Sequence, residues 1–99
     1  MSEISLASTV VVSPRQVSTE LGKEVVVLGA EAGQYFGLNE VGARVWALLQ
    51  APNQVSVVCS AIVEEYEVTR EQCERDVLAL LRDLQAKGLV HVEAELGSS

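Results

Sequence analysis

The sequence predicts an α+β fold in which a three-stranded antiparallel meander is followed by three helices and a short closing strand. Two observations lead to this prediction. Residues 16–21, 24–29 and 34–38 are short alternating or β-branched segments joined by glycine-containing turns. From Asn39 onwards, apolar residues recur at helical spacing in three successive stretches, and residues 89–92 return to a strand pattern.

The three strands are joined by connections so short that an antiparallel meander is the expected arrangement. Residues 22–23 suit a two-residue turn, and residues 30–33 suit a hairpin loop that ends in glycine. Val17, Thr19 and Leu21 alternate with polar residues, which predicts a half-buried first strand. The third strand is the last of the meander and is therefore a candidate sheet edge.

Each predicted helix has a candidate cap. Asn39, Ser56 and Thr69 are suitable N-caps, and Thr69 with Gln72 forms a capping box. Gly88 is expected just after the third helix. Three helices followed by a β element give the layout of a winged helix-turn-helix, here with the meander first. The predicted apolar faces are, in order, Val41, Val45, Leu48 and Leu49, with Trp46 beside them; Cys59, Ile62, Val63 and Tyr66; and Cys73, Val77, Leu80, Leu81 and Leu84.

Length and composition indicate one small domain. The chain has 99 residues, of which 48% are hydrophobic, enough to form a folded core. Pro14 interrupts an apolar run, so residues 1–15 are predicted to form an N-terminal arm or a short edge segment. The folded domain is expected at residues 16–92 and a C-terminal tail at residues 93–99.

Charge and hydropathy argue against several kinds of partner. The formal net charge is −7, which disfavours binding to a phosphate backbone, so no nucleic-acid partner is expected. No apolar run reaches the length of about 18 residues needed to span a membrane. The N-terminus also lacks the basic and apolar regions of a signal peptide. We therefore expect a cytoplasmic protein without membrane contact.

Few residues could support catalysis. His91 is the single histidine, and Cys59 and Cys73 lie within apolar helical patterns without metal-ligand spacing. Both cysteines are therefore interpreted as small buried hydrophobes. A cysteine nucleophile would need a base, and His91 is the only candidate. We expect no catalytic residue, no metal and no cofactor, and the chain is predicted not to be an enzyme.

The third strand and the third helix together offer a candidate binding groove. A free strand edge can accept a peptide as an extra strand, although the termini or a helix could cover it instead. Asp76, Leu80, Asp83 and Lys87 form a stripe that flanks the core face of the third helix. Two acids around a leucine could hold an apolar anchor and a Lys or Arg. The alternative is that this stripe is an ordinary solvated flank.

Two stretches of the sequence carry a recognisable set of motifs. The first, GQYFGLNEVGARVWALL, has a Tyr-x-x-Leu-Asn pattern before a helix that contains Val-Trp, here Tyr35, Leu38, Asn39, Val45 and Trp46. The second, EEYEVTREQCERDVLALLRDLQAKGLV, has an acidic helix end, a capping Thr, an Arg-Asp-Val-Leu core and a closing Gly-Leu-Val. Together, in this order and at this separation, they resemble the PqqD-like family, and the resemblance covers about residues 16–92.

The resemblance implies a RiPP recognition element, a domain of winged helix-turn-helix-like fold that binds the leader segment of a ribosomally synthesised precursor peptide. In this family the leader adds as a strand to the third strand and packs on the third helix. Tyr35, Phe36 and Trp46 would lock that edge strand to the first helix. Carried over by position, the peptide-binding residues are Gln34, Tyr35, Phe36, Gly37, Leu38, Arg75, Asp76, Ala79, Leu80 and Asp83.

Within the family, the chain is most similar to the free-standing leader-binding proteins of split lasso-peptide maturation systems. The implied partners are a precursor peptide and a separate cysteine-protease-type leader peptidase, with a cyclase as a further candidate. Three alternatives stay open. One is a PQQ-type peptide chaperone for a radical SAM enzyme, and another is a small enzyme that uses Cys59 or Cys73. The third is a winged-helix DNA-binding regulator, which the acids of the third helix disfavour.

Overall fold

A computed structural model shows two small antiparallel sheets and three helices, and it describes residues 4–14, 16–29 and 35–93. The predicted meander, three helices and closing strand are confirmed, and the fold is α+β. The likeness to a winged helix-turn-helix stays a prediction. The elements are β1 (Thr9–Val12), β2 (Gln16–Leu21), β3 (Glu24–Gly29), β4 (Tyr35–Leu38), α1 (Glu40–Leu48), β5 (Asn53–Gln54), α2 (Val55–Glu65), α3 (Arg70–Ala86) and β6 (Val90–Val92).

The hairpin of β2 and β3 has the tight turn that the sequence predicts. The strands pair up to Leu21 and Glu24, so that Gly22 and Lys23 alone lie between them. Gly22 has a φ of 68°, a conformation that glycine adopts without the strain of a side chain. The loop predicted over residues 30–33 lies outside the described residues.

β4 lies at one edge of the meander, whose strand order is β2-β3-β4. Phe36 pairs with Val27 and Leu38 pairs with Val25. Val25, Val27 and Leu38 are buried, and Phe36 packs partly buried against the same core. The inner face of β3 and β4 therefore packs on the hydrophobic core, and β4 brings its edge next to that core.

The outer face of this sheet is exposed, which corrects the prediction of a half-buried first strand. Thr19 is exposed, and Leu21 keeps 59% of its accessible surface. Leu28 is exposed as well, opposite Tyr35 across the β3–β4 pair. The alternation is real, but it does not indicate burial here, because the core covers only the face that carries Val27.

The sequence analysis did not predict the second sheet. Its central strand is β1, which pairs antiparallel with β5 on one side and β6 on the other. Ile4 and Val10 are almost fully buried, so this part of the chain contributes to the core, where the sequence predicted an arm or a short edge segment. Pro14 lies beyond the end of β1, where it removes no ladder hydrogen bond. The domain boundaries at residues 16–92 and the tail at residues 93–99 stay predictions.

α1 begins as predicted, with Asn39 as its N-cap. The Asn39 Oδ1 atom accepts a hydrogen bond of 2.9 Å from the backbone N–H of Gly42. Val45 and Trp46 are buried on the face of α1 that meets the core. Val41 was assigned to the same face, but it is 36% exposed, since it lies in the first turn at the edge of the core.

The predicted cap of α2 at Ser56 is wrong. The helix begins one residue earlier, at Val55, and Gln54 occupies the N-cap position without a side-chain cap bond. The backbone N–H groups of Val55 and Ser56 instead donate to the carbonyls of Ser8 and Leu6, each at 3.0 Å. The segment around β1 therefore satisfies the free N–H groups of this helix, a tertiary arrangement that local sequence does not reveal.

α3 begins and ends at the predicted signals. The Thr69 hydroxyl oxygen accepts from the Gln72 N–H at 3.1 Å, whereas the Gln72 side chain donates to Asp76. Gly88 has a φ of 75° after the last turn. The N–H of Gly88 donates to the Gln85 carbonyl, and the N–H of Leu89 donates to the Leu84 carbonyl. These are the two hydrogen bonds of a Schellman cap.

Among the described residues, no helix has both the length and the apolar character required to cross a membrane.

Candidate functional site

A cavity of about 720 Å³ opens between the end of β4, the first turns of α1, and α3. Its floor is apolar. Leu38, Val45, Ile62 and Val77 are buried there, and Leu80 is half-buried at its side. A cavity with this floor can take an apolar side chain of a ligand.

The cavity lies beside the outer edge of β4, which is free in that no described strand pairs with it there, and this combination forms the candidate site. Gly37 and Leu38 line one side, and Asp76, Leu80 and Asp83 of α3 line the other. We call the space between these five residues the groove. A Cβ at Gly37 would meet no atom within 4 Å, so the sheet face on which Gly37 lies is open at this position.

Of the ten predicted site residues, six border the cavity, three do not, and one lies outside the described residues. Arg75 is exposed on α3 but does not reach the cavity. Tyr35 and Phe36 lie in β4 before the part that borders it, and Gln34 lies outside the described residues. The six that border it are Gly37, Leu38, Asp76, Ala79, Leu80 and Asp83.

The three aromatic residues do not act together as predicted. Trp46 is buried, at 4% exposure, and Phe36 packs partly buried against the same core. Tyr35 is 70% exposed. Neighbouring residues of a strand point to opposite faces, so Tyr35 must face outward when Phe36 faces the core. The prediction that Tyr35 helps to lock β4 to α1 is therefore wrong.

Phe36 has a second neighbour at the far end of α3. The Lys87 ammonium nitrogen lies 5.9 Å from the centroid of the Phe36 ring. This distance is within the range of a cation–π interaction. The contact places a positive charge beside β4, beyond the cavity.

Several residues of the cavity were not identified as site residues from the sequence. Tyr66, Glu67 and Val68, which connect α2 to α3, line it, as does the exposed Val41 of α1. Val41 could have been considered as a site residue, because helical periodicity does not fix whether an apolar residue in the first turn of a helix faces the core. No local signal marks the α2–α3 connection, since its position depends on how the two helices pack.

The electrostatic environment of the cavity is acidic. Glu67, Asp76 and Asp83 line it, and no Lys, Arg or His of the described chain does so. Burial raises the pKa of Tyr66, and the nearby carboxylates of Glu40 and Glu65 raise it further. The site therefore suits a cationic or neutral ligand better than an anionic one.

The two cysteines lie together in the core between α2 and α3. The Cys73 thiol donates to the Cys59 carbonyl at 3.7 Å, and both residues are buried. Burial raises the pKa of the Cys59 thiol to about 12 and also raises that of Cys73. His91 is exposed on β6. Both thiols are therefore held in their unreactive protonated form.

Within the residues that the structure describes, no group of three or more His, Cys, Asp or Glu side chains could hold a metal ion.

The fold and the site define a class of protein, a small α+β domain whose free strand edge borders an apolar, acid-rimmed cavity. The family model for Coenzyme PQQ synthesis protein D (PqqD) matches residues 24–90, and the chain belongs to this family. The predicted relationship to PqqD-like proteins is thereby confirmed.

Two solved structures are similar to this chain. The first is TbiB1 in complex with the TbiA(beta) leader peptide, with 39% identity and a TM-score of 0.77 over 86% of this chain and 99% of that one. The second is lasso peptide synthetase B1 complexed with the leader peptide, with 27% identity and a TM-score of 0.73 over 83% of this chain and 96% of that one. Among curated proteins, none matches this sequence significantly.

Proposed function

We propose that this chain binds the leader segment of a ribosomally synthesised precursor peptide, and that this precursor is that of a lasso peptide. The observation that best supports this proposal is the free edge of β4 next to a cavity with an apolar floor. A leader that adds as a strand to this edge would make main-chain hydrogen bonds with β4. Every second side chain would then point toward α3.

β4 is a better acceptor than β2, which is the other edge of the same sheet. Residues 18–21 of β2 are exposed, and none of them borders the cavity. A peptide on β2 would gain main-chain bonds without burying its side chains. A peptide on β4 would gain both, because α3 faces that edge.

The comparisons support a leader peptide as the ligand. The match extends over nearly the whole length of TbiB1, whose structure was solved with a leader peptide. The second similar structure also contains a leader peptide. Membership of the family of Coenzyme PQQ synthesis protein D is also compatible with the alternative that the sequence left open, a PQQ-type peptide chaperone for a radical SAM enzyme. Both candidates share the same groove and differ in the peptide and in the enzyme that receives it.

The chain would act as an adaptor and not as an enzyme. Its two thiols are buried and protonated, so neither is placed to attack a peptide bond. Removal of the leader would require a separate cysteine-protease-type leader peptidase. A cyclase is a further partner in this proposal, and each would receive the precursor while the leader is held on β4.

Calorimetric titration of the full chain with the TbiA(beta) leader peptide tests the proposal. A second titration uses the leader of a short precursor peptide sought among the genes next to the one for this chain, and scrambled versions of both peptides serve as controls. We expect saturable one-to-one binding of a leader and none of its scrambled version. Failure of both leaders to bind would remove the proposed function.

A further inference from the structure

No basic residue of the described part of the chain forms an ion pair with the carboxylates of the groove. The described part of the chain has two ion pairs, Arg44 with Glu65 and Arg70 with Glu74, and neither involves a residue of the cavity. Asp76 accepts hydrogen bonds from the neutral amide of Gln72 at 3.0 and 3.1 Å.

Two further basic groups, one in the C-terminal part of α3 and one just after it, are directed away from the groove carboxylates. Lys87 lies over the ring of Phe36, and an Arg82 guanidinium nitrogen is 3.5 Å from the carbonyl of Ile4. Asp76 and Asp83 therefore keep their negative charge available on the side of the groove that a peptide would meet.

The spacing of these residues matches the repeat of an extended peptide. Along α3, Leu80 lies about 6 Å from Asp76 and about 4.5 Å from Asp83, at a rise of about 1.5 Å per residue. In a strand, side chains on one face repeat every second residue, about 6.7 Å apart. For a peptide that runs alongside α3, a side chain packed against Leu80 has its neighbours two positions away about level with Asp76 and slightly beyond Asp83.

We propose that the peptide bound in this groove carries an apolar residue that packs against Leu80, with a Lys or Arg two positions away on at least one side, paired with Asp76 or Asp83. This inference rests on the proposed function and specifies the chemistry of its ligand. The basis is charge complementarity, because the groove has an apolar floor and an acidic wall.

Selection from a phage-displayed library of short random peptides tests the inference. The full chain is the target, and the Asp76→Asn, Asp83→Asn double variant is selected in parallel. A control double variant, Glu64→Gln with Glu71→Gln, removes the same charge at exposed sites outside the cavity. Circular dichroism and thermal unfolding verify that all three proteins are folded.

We expect the native chain and the control to enrich peptides with a Lys or Arg two positions from an apolar residue. The Asp-to-Asn double variant should lose this preference. For an enriched peptide, each single Asp→Asn change should weaken binding about two- to fivefold, as for exposed ion pairs, and added salt should reduce the difference.

The outcomes separate this inference from the proposed function. Enrichment of peptides without basic residues, or the same preference in the Asp-to-Asn variant, would overturn the charge pattern and leave leader binding intact. If no peptide is enriched and the TbiA(beta) leader peptide does not bind, both proposals fail together.

Discussion

The Lys87 ammonium nitrogen lies 5.9 Å from the centroid of the Phe36 ring and links the C-terminal end of α3 to β4. The contact joins the two walls of the groove at one end. It also places the Lys87 charge next to β4, outside the cavity that Asp76 and Asp83 line.

A double-mutant cycle measures this contact. Lys87→Met and Phe36→Leu, alone and combined, should give a coupling of about 0.5 kcal/mol in urea unfolding, because exposed cation–π pairs contribute about 0.5–1 kcal/mol. Lys23→Met, in the exposed turn of the first hairpin, is the control for loss of a lysine. A coupling indistinguishable from zero would show that the two groups lie together without interacting.

The apolar side of the groove can be tested with a pair of leucines on α3. Leu80 and Leu78 are both half-buried, but Leu80 borders the cavity and Leu78 does not. Leu80→Ala should weaken binding of the TbiA(beta) leader peptide by about tenfold or more, as expected from the loss of a buried apolar contact. Leu78→Ala should leave the affinity within about twofold, although it should lower the free energy of unfolding by about as much as Leu80→Ala does.

Calorimetry measures both affinities, and urea unfolding measures both stabilities. Equal losses of affinity in the two variants would indicate that α3 packing matters only through stability. In that case the side chain of Leu80 would have no direct contact with the peptide.

Strand addition makes a distinct prediction for hydrogen exchange. Backbone amides of β4 that point away from β3 should gain protection when the leader peptide binds, because each would donate to the added strand. The amides of β2, at the opposite edge of the sheet, serve as an internal control and should not change. Protection confined to α3 would indicate helix packing without strand addition.

Local signals in the sequence predicted the elements, and tertiary contacts explain what they missed. Asn39, Thr69 and Gly88 fix helix ends through bonds within a few residues, so sequence identifies them. α2 begins without such a side chain, because carbonyls of residues 6 and 8 satisfy its first N–H groups. β1 was predicted only as part of an arm or a short edge segment, and its central place in a sheet was not foreseen, since its partners come from distant parts of the chain.

The candidate site shows the same division. The stripe of Asp76, Leu80 and Asp83 is visible in the sequence, because helical spacing alone brings these residues together. Periodicity could not decide which face of β4 meets the core, and the prediction for Tyr35 was wrong for this reason.

The ion pair between Arg44 and Glu65 predicts a pH dependence. Arg44 donates two hydrogen bonds to the Glu65 carboxylate, at 2.8 and 2.9 Å, and lowers its pKa below the ordinary 4.5. Because the pKa is lower in the folded state, the stabilisation is present above that ordinary value. It is lost as the pH falls through the lowered pKa.

Urea unfolding of the native chain and of Glu65→Gln over a range of pH measures this effect. The native chain should be more stable at neutral pH, and the difference should shrink as the solution becomes more acidic than the ordinary pKa of glutamate. Glu64→Gln, which removes an exposed carboxylate at the neighbouring position, is the control for loss of a negative charge. A difference that is constant with pH would mean that Arg44 and Glu65 do not interact in solution.

The buried thiols give the last prediction. Burial raises the pKa of Cys59 to about 12, against an ordinary value of 9.0, so its thiolate is about a thousandfold scarcer at mildly alkaline pH than in the unfolded chain. The folded protein should therefore react with Ellman's reagent far more slowly than the chain unfolded in guanidinium. Because the folded pKa is raised, stability should be fully present below that ordinary value and decline as the pH rises toward about 12.

Cys59→Ala provides the matched control for this measurement, since it leaves Cys73 as the single thiol. This variant should lose part of the alkaline decline, because one of the two groups with a raised pKa is absent. Rapid reaction of either thiol in the folded native chain would contradict the prediction. It would also reopen the possibility of a cysteine nucleophile, because a thiol that reacts quickly must be both accessible and ionised.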